Sequence, residues 1–232
     1  MIEITNLVKT FNKNIAVNIP TLKIDKGEIV GLIGNNGAGK TTTFRLMLDL
    51  IQADTGNVLM NKVDVVKNEG WKTYTGSFID SNFLIDFFTP DEYFVFTGKL
   101  YGLNVGKIKE RLAMFEKFMN EEILNQKKYI RHFSSGNKQK IGIIAAMMIY
   151  PEILILDEPF NFLDPSSQIE MKHLLQWLNG EFETTILISS HNLNYIHDVS
   201  SRILLMEKGI VIKDIANNDS GNITDIYHYF DK

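Results

Sequence analysis

Cysteine is absent from the chain, which excludes a disulfide framework, a thiolate zinc site and a cysteine nucleophile. Excess positive charge is missing as well. The 24 Lys+Arg against 28 Asp+Glu leave a formal charge of −4, whereas a sequence-independent nucleic-acid binder needs clustered cations, so no nucleic-acid partner is expected. No apolar run is long enough to span a bilayer, which takes about 20 residues. The greasiest stretch, Ile141 to Leu156, is interrupted by Gly142, Pro151 and Glu152. Met1-Ile2-Glu3-Ile4-Thr5 lacks the basic start and apolar run of a secretory signal. Proline is scarce, five in 232 residues, and no repeat, low-complexity block or long linker divides the chain. A soluble protein is expected, one that works at a membrane only through another polypeptide.

What is present is ordinary for a folded domain. Hydrophobic residues make up 44% and charged residues 22%, enough to bury a sizeable core in one domain over 1–232. Ile2–Val8 alternates apolar and polar residues, the mark of a half-buried strand. Glu28–Ile33 reads as a buried strand, Thr42–Ile51 as an amphipathic helix and Gly56–Met60 as a strand. From Pro90 to about Gln126 the pattern is helical: Asp91–Leu100, Lys107–Phe118 and a weaker segment after Asn120. A helical insertion over about 80–140 follows. Strand and helix then alternate: Ile153–Leu156, Ser167–Leu178, Thr184–Ile188 and Leu193–Asp198, with a hairpin over Ile203–Met206 and Ile210–Ile212. The fold class is therefore α/β, a mostly parallel sheet with an antiparallel portion at the N-terminal end.

Gly34-Asn35-Asn36-Gly37-Ala38-Gly39-Lys40-Thr41 fits G-x-x-x-x-G-K-[ST] in full, with a buried strand before it and a helix after it. Glycines let successive backbone N–H groups curl around a phosphate, and the helix N-terminus, with Thr42 beside Thr41, adds its positive end. Lys40 is expected to reach the β- and γ-phosphates and Thr41 to ligate Mg²⁺. A second buried strand ends in Asp157-Glu158. Alternation sends the two acids to opposite sides, so that Asp157 serves the metal and Glu158 orients and deprotonates the attacking water.

Together with Phe133-Ser134-Ser135-Gly136-Asn137-Lys138-Gln139-Lys140, these residues resemble the nucleotide-binding subunit of an ATP-binding-cassette (ABC) transporter over nearly the whole chain. The segment is similar to the family signature L-S-G-G-Q-[KR]-Q-R. On its own terms it places small residues at the start of a buried helix over Asn137–Ile149, where hydroxyls and N–H groups face an anion. The resemblance implies a P-loop NTPase with a RecA-like core and an inserted helical subdomain. It implies that Ser134, Ser135 and Gly136 grip the γ-phosphate of ATP held by an opposite subunit, in a homodimer or heterodimer around two ATP. Phe160-Asn161-Phe162-Leu163-Asp164 resembles the D-loop, with Asp164 at its acidic position. Ser189-Ser190-His191 resembles the switch, where His191 bonds the γ-phosphate and steadies Glu158. Phe11 stands where the family stacks an aromatic on adenine. Asp80 falls at the glutamine position of the Q-loop, a carboxylate with a shorter reach toward the metal.

The implied function is ATP hydrolysis driving a separate membrane permease, with the chain in the cytoplasm on the inner face of the membrane. The signature form, Thr89-Pro90-Asp91-Glu92 and Tyr101-Gly102 resemble exporters of the ABC-2 or antibiotic type. The aromatics between Phe78 and Tyr101 are expected mostly to pack the helical region, the rest receiving a short helix of the permease. The alternatives are a soluble ABC-type ATPase, a subunit with weak regulatory hydrolysis because of Asp80, and a small-molecule kinase, ranked last.

Overall fold

The computed structural model describes residues 1–217 and residue 226. Two sheets organise the chain. Strands β1 (Ile2–Phe11), β2 (Asn14–Ile24), β4 (Thr55–Met60) and β5 (Val63–Asp64) form an antiparallel sheet in the order β2-β1-β4-β5. Strands β3 (Ile29–Ile33), β6 (Thr75–Phe78), β7 (Ile153–Leu156), β8 (Thr185–Ser190), β9 (Arg202–Glu207) and β10 (Ile210–Ala216) form the other, in the order β10-β9-β3-β8-β7-β6. All its pairings are parallel except the β9–β10 hairpin at one edge.

The central strands are apolar at nearly every position because both faces are covered, the pattern of a parallel sheet between layers. Val30, Leu32, Ile153, Ile155 and Leu187 point into a core shared with the antiparallel sheet and helix α1 (Lys40–Met47). Their neighbours Ile29, Ile33, Leu154, Leu156, Ile186 and Ile188 point the other way. There they meet helices α5 (Ser135–Met147) and α6 (Pro165–Phe182). Alternation along each strand thus divides one sheet between two cores.

Between β6 and α5 lie α2 (Pro90–Leu100), α3 (Val105–Ala113) and α4 (Glu116–Met119), with no strand among them. Helix α2 opens on a capping box in which Thr89 and Glu92 each bond the other's backbone N–H, with Pro90 in the first turn. Phe94, Ile108, Leu112, Phe115 and Phe118 of this region are buried in the same apolar cluster as the sheet. The expected helix over Lys107–Phe118 is broken at Met114-Phe115 into α3 and α4, and the segment after Asn120 forms turns instead of a helix. Asn120 and Glu121 there take positive φ values of 51° and 58°, which a continuing helix forbids. Helix α7 (Leu193–His197) follows β8. Among the described residues no helix is long and apolar enough to cross a membrane.

Strand β2 had no counterpart in the sequence reading. It contains Pro20, which removes a backbone donor, and it is tolerated because β2 is the edge of its sheet.

Candidate nucleotide site

The phosphate loop connects β3 to α1 at the parallel sheet's carboxyl edge. Gly37 (φ 83°) and Gly39 (φ 108°) take left-handed conformations, and a side chain at Gly39 would strike the Ala16 carbonyl at 2.4 Å. Gly39 caps α1 without a side-chain hydrogen bond, and the first turn of the helix holds no acid. Its N–H groups and dipole are thereby left to an anion. A cavity of about 210 Å³ opens here, lined by Ala16, Asn36 to Thr42 and Glu158. Ala16 arrives on β2, so the strand missed in the sequence supplies one wall.

Lys40 is buried. Its ammonium donates to the Gly34 carbonyl at 2.7 Å and the Asn35 carbonyl at 3.5 Å, and stands 3.4 Å from Glu158 Oε1. Glu158 follows β7 with φ 46°. Its Oε2 lies 2.9 Å from His191 Nδ1 and accepts the His191 backbone N–H at 3.3 Å. One carboxylate therefore spans the phosphate-loop lysine and the histidine at the end of β8.

Asp157, beside it, faces elsewhere. Oδ2 accepts the Thr41 hydroxyl at 2.5 Å and Oδ1 accepts the Ser189 hydroxyl. Burial pushes its carboxyl up, opposed by those two hydrogen bonds and by Lys40, while the Glu158 charge adds to the rise. Thr41 Oγ1 and Asp157 Oδ2, two hard oxygen donors beside the phosphate loop, fit a magnesium ion that takes its remaining ligands from water and phosphate.

Other expected residues lie apart from this cavity. Ser134 is the N-cap of α5, accepting the Asn137 N–H at 3.3 Å. Ser134 and Ser135 are exposed, and neither they nor Gly136 line the cavity. Gly136 packs under the D-loop, where a Cβ would stand 2.6 Å from the Phe162 carbonyl. Asp164 caps α6, accepting from Ser166 Oγ, Ser167 Oγ and the Ser167 N–H. These bonds, with that of Ser166 the strongest, hold its carboxyl far below the usual range. Phe11 is 48% exposed with the Lys9 ammonium 5.4 Å above its ring, so it is a surface aromatic, free to stack. Asp80 does not line the cavity, and its carboxylate accepts the Asn82 N–H at 2.8 Å, capping the short turn Ser81–Phe83.

Sequence reasoning passed over Gln139 and Ser189, both of which touch the Asp157-Glu158 segment. Ser189 was visible only as part of the switch motif, and Gln139 only as part of the signature.

The family model described as "ABC transporter" matches residues 17–161. The bacitracin transport ATP-binding protein BcrA of Enterococcus faecalis is 36% identical over 216 residues, 93% of this chain and 69% of its own. The methionine import ATP-binding protein MetN 4 of Oceanobacillus iheyensis is 34% identical over 230 residues, 94% of this chain and 66% of its own. Among solved structures, an ATP binding subunit of an ABC transporter superposes with a TM-score of 0.86 at 25% identity, covering 98% of this chain and 93% of that one. The dimeric cassette MJ0796 shares the fold with a TM-score of 0.83 at 23% identity, over 94% of this chain and 99% of that one. With its phosphate loop, paired acids and switch histidine assembled on that fold, the chain belongs to the ABC transporter family, among its ATP-binding, ATP-hydrolysing subunits.

Proposed function

We propose that this chain hydrolyses ATP with Glu158 as the base and uses the cycle to drive a separate membrane permease in the direction of export. The carrying observation is the Glu158 carboxylate, held between Lys40 at 3.4 Å and His191 at 2.9 Å on the rim of the phosphate cavity. Without nucleotide, Lys40 neutralises Glu158. Triphosphate in the cavity competes for that ammonium, since phosphate oxygens carry more charge than one carboxylate. Released from Lys40, Glu158 keeps its contacts with His191 and is free to accept a proton from water. His191 orients the carboxylate and presents its second ring nitrogen to the γ-phosphate.

Thr41 and Asp157 would hold Mg²⁺, which supplies charge neutralisation at the β- and γ-phosphates when bound. Asp80 would join that set through Oδ2, because its Oδ1 is held by the Asn82 N–H. Phe11 would stack on the adenine. The exposed N-terminus of α5, with Ser134, Ser135 and Gly136, and Asp164 of the D-loop lie outside the chain's own cavity. That arrangement supports contact with ATP on a second subunit, identical or homologous.

Residues 80–140 form the inserted helical part and the permease contact. Phe78, Phe94, Phe88 and Tyr93 pack inward and Tyr101 donates its hydroxyl to the Thr75 carbonyl at 3.0 Å, whereas Phe83, Phe87 and Phe96 are exposed. Phe83 borders an adjoining cavity of about 190 Å³ with Phe78, Tyr93 and Gly142, the kind of recess that takes an aromatic-anchored helix. The work would take place on the cytoplasmic face of the membrane. Export rests on the resemblance of the signature form and of Thr89-Pro90-Asp91-Glu92 to exporters, and BcrA is named for bacitracin transport. The similarity to MetN makes import the competing outcome.

Affinity purification of the tagged chain from native membranes in mild detergent tests this reading. A polytopic partner is expected, lost in a Phe83→Ala/Phe87→Ala variant that keeps its ATPase activity. Recovery with ribosomes or DNA, or an active ATPase with no membrane partner, overturns the transport reading and leaves the ATP chemistry standing.

A further inference from the structure

The backbone of Glu158 is held from both sides by side chains that no nucleotide role explains. Its N–H donates to Ser189 Oγ at 2.8 Å, and that hydroxyl in turn donates to Asp157. Its carbonyl accepts Gln139 Nε2 at 3.1 Å, and the Asn161 backbone N–H of the following turn at 3.1 Å, so Gln139 is the only side-chain donor to it among the described residues. Ser189 is fully buried and Gln139 is 7% exposed, so neither bond exchanges readily with water. The residue between them has φ 46°, a conformation that costs a non-glycine residue roughly 1 kcal/mol or more and persists only where its surroundings fix it.

Gln139 sits on α5, five residues after the Ser134 cap, about 1.4 turns and a rise of about 7.5 Å. The remaining positions of the helix centre, Ile141 to Met147, are buried. The helix that begins at the exposed signature turn thus makes a polar contact with the segment that aims the Glu158 carboxylate.

We propose that Gln139 is a positioning residue: its amide holds the Glu158 carbonyl so that the carboxylate points between Lys40 and His191. Any displacement of α5 by an anion seated on its N-terminus is carried through this bond to Glu158. The inference rests on the reading of Glu158 as the base. Ser189, from β8, fixes the peptide on the N-terminal side of Glu158, so Gln139 is the one contact of the pair that comes from the signature helix.

Gln139→Met preserves length and bulk while removing the donor. In the full chain at neutral pH, kcat for ATP hydrolysis is expected to fall about tenfold, the rate equivalent of one hydrogen bond, with KM and nucleotide affinity within about twofold. The same substitution is made in Glu158→Gln, with cleavage followed by single-turnover assay of labelled ATP. There it is expected to cost nothing further, because the group that Gln139 aims has already lost its basicity. An equal loss in both backgrounds, or a loss confined to KM, makes Gln139 a structural residue only and overturns the proposal. Undiminished turnover in Glu158→Gln alone removes the base reading instead, and is scored separately from the effect of Gln139→Met on the unaltered chain. Wild-type kcat in Gln139→Met also refutes the inference.

Discussion

Gly142→Ala tests how β6 and α5 fit together. A Cβ at Gly142 would stand 2.0 Å from Phe78 Cε2, 2.2 Å from Cδ2 and 2.7 Å from Cζ, about 1.5 Å short of an ordinary carbon contact of about 3.5 Å. The ring or its neighbours must move, and the adjoining cavity of about 190 Å³ that both residues line offers the ring room. Overpacking of a core costs about 1–3 kcal/mol, and replacing glycine by alanine within a helix returns about 1 kcal/mol. The net loss is about 1 kcal/mol, a fall in Tm of about 2–4 °C for a chain of this size. Urea unfolding of Gly142→Ala, Phe78→Leu and the double variant gives the coupling. Phe78→Leu creates room at the clash, so the double variant is expected to be more stable than the sum of the singles by about 1 kcal/mol. The Phe78 carbonyl accepts the Asp157 N–H at 3.0 Å, so the displaced strand end also lowers kcat more than ATP affinity. Stabilisation of Gly142→Ala by the full alanine gain, with strict additivity in the cycle, would refute the proposed seat of the ring.

Three further outcomes are expected. Lys40→Ala removes the one buried ammonium at the phosphate cavity, and calorimetric titration should show ATP affinity weaker by about tenfold to hundredfold, the worth of a charged hydrogen bond; unchanged affinity moves the phosphates elsewhere. Ser134→Arg, at an exposed cap outside the chain's own cavity, should abolish most turnover while monomeric ATP binding stays normal, and loss of that binding would contradict contact across subunits. Asp164→Ala removes the α6 cap and should cost about 1 kcal/mol at pH 7. Because the folded carboxyl is held below its ordinary range, its stabilisation is present above the unfolded pKa of about 3.9 and is lost as pH falls toward the folded value. The gap between wild type and variant in thermal melts should therefore narrow below about pH 4; a gap that is constant in acid would show that the charge contributes nothing.

Much of the protein was legible before any coordinates. The glycine-rich loop between a buried strand and a helix dictated its own shape, because Gly39 leaves no room for a side chain beside Ala16. The doubly buried strands announced themselves as continuous apolar runs, and Asp157-Glu158 at the end of one of them marked the second half of the site. These signals are local: loop, helix start and strand end lie within a few residues of one another. Strand β2 was hidden by Pro20, since a sequence does not say which strand will be an edge. The cap that Asp80 forms depended on the turn at Ser81–Phe83, which places the Asn82 N–H within reach of its carboxylate. The aromatics between Phe78 and Tyr101 looked alike in sequence, yet Phe94 is fully buried and Phe87 is 68% exposed, because only the packing of α2 on its neighbours sorts them. Gln139 and Ser189 reach Glu158 across 19 and 31 positions of chain. Which side chain meets a given backbone group over such separations is fixed by how helix and sheet pack, and that information resides in the tertiary structure alone.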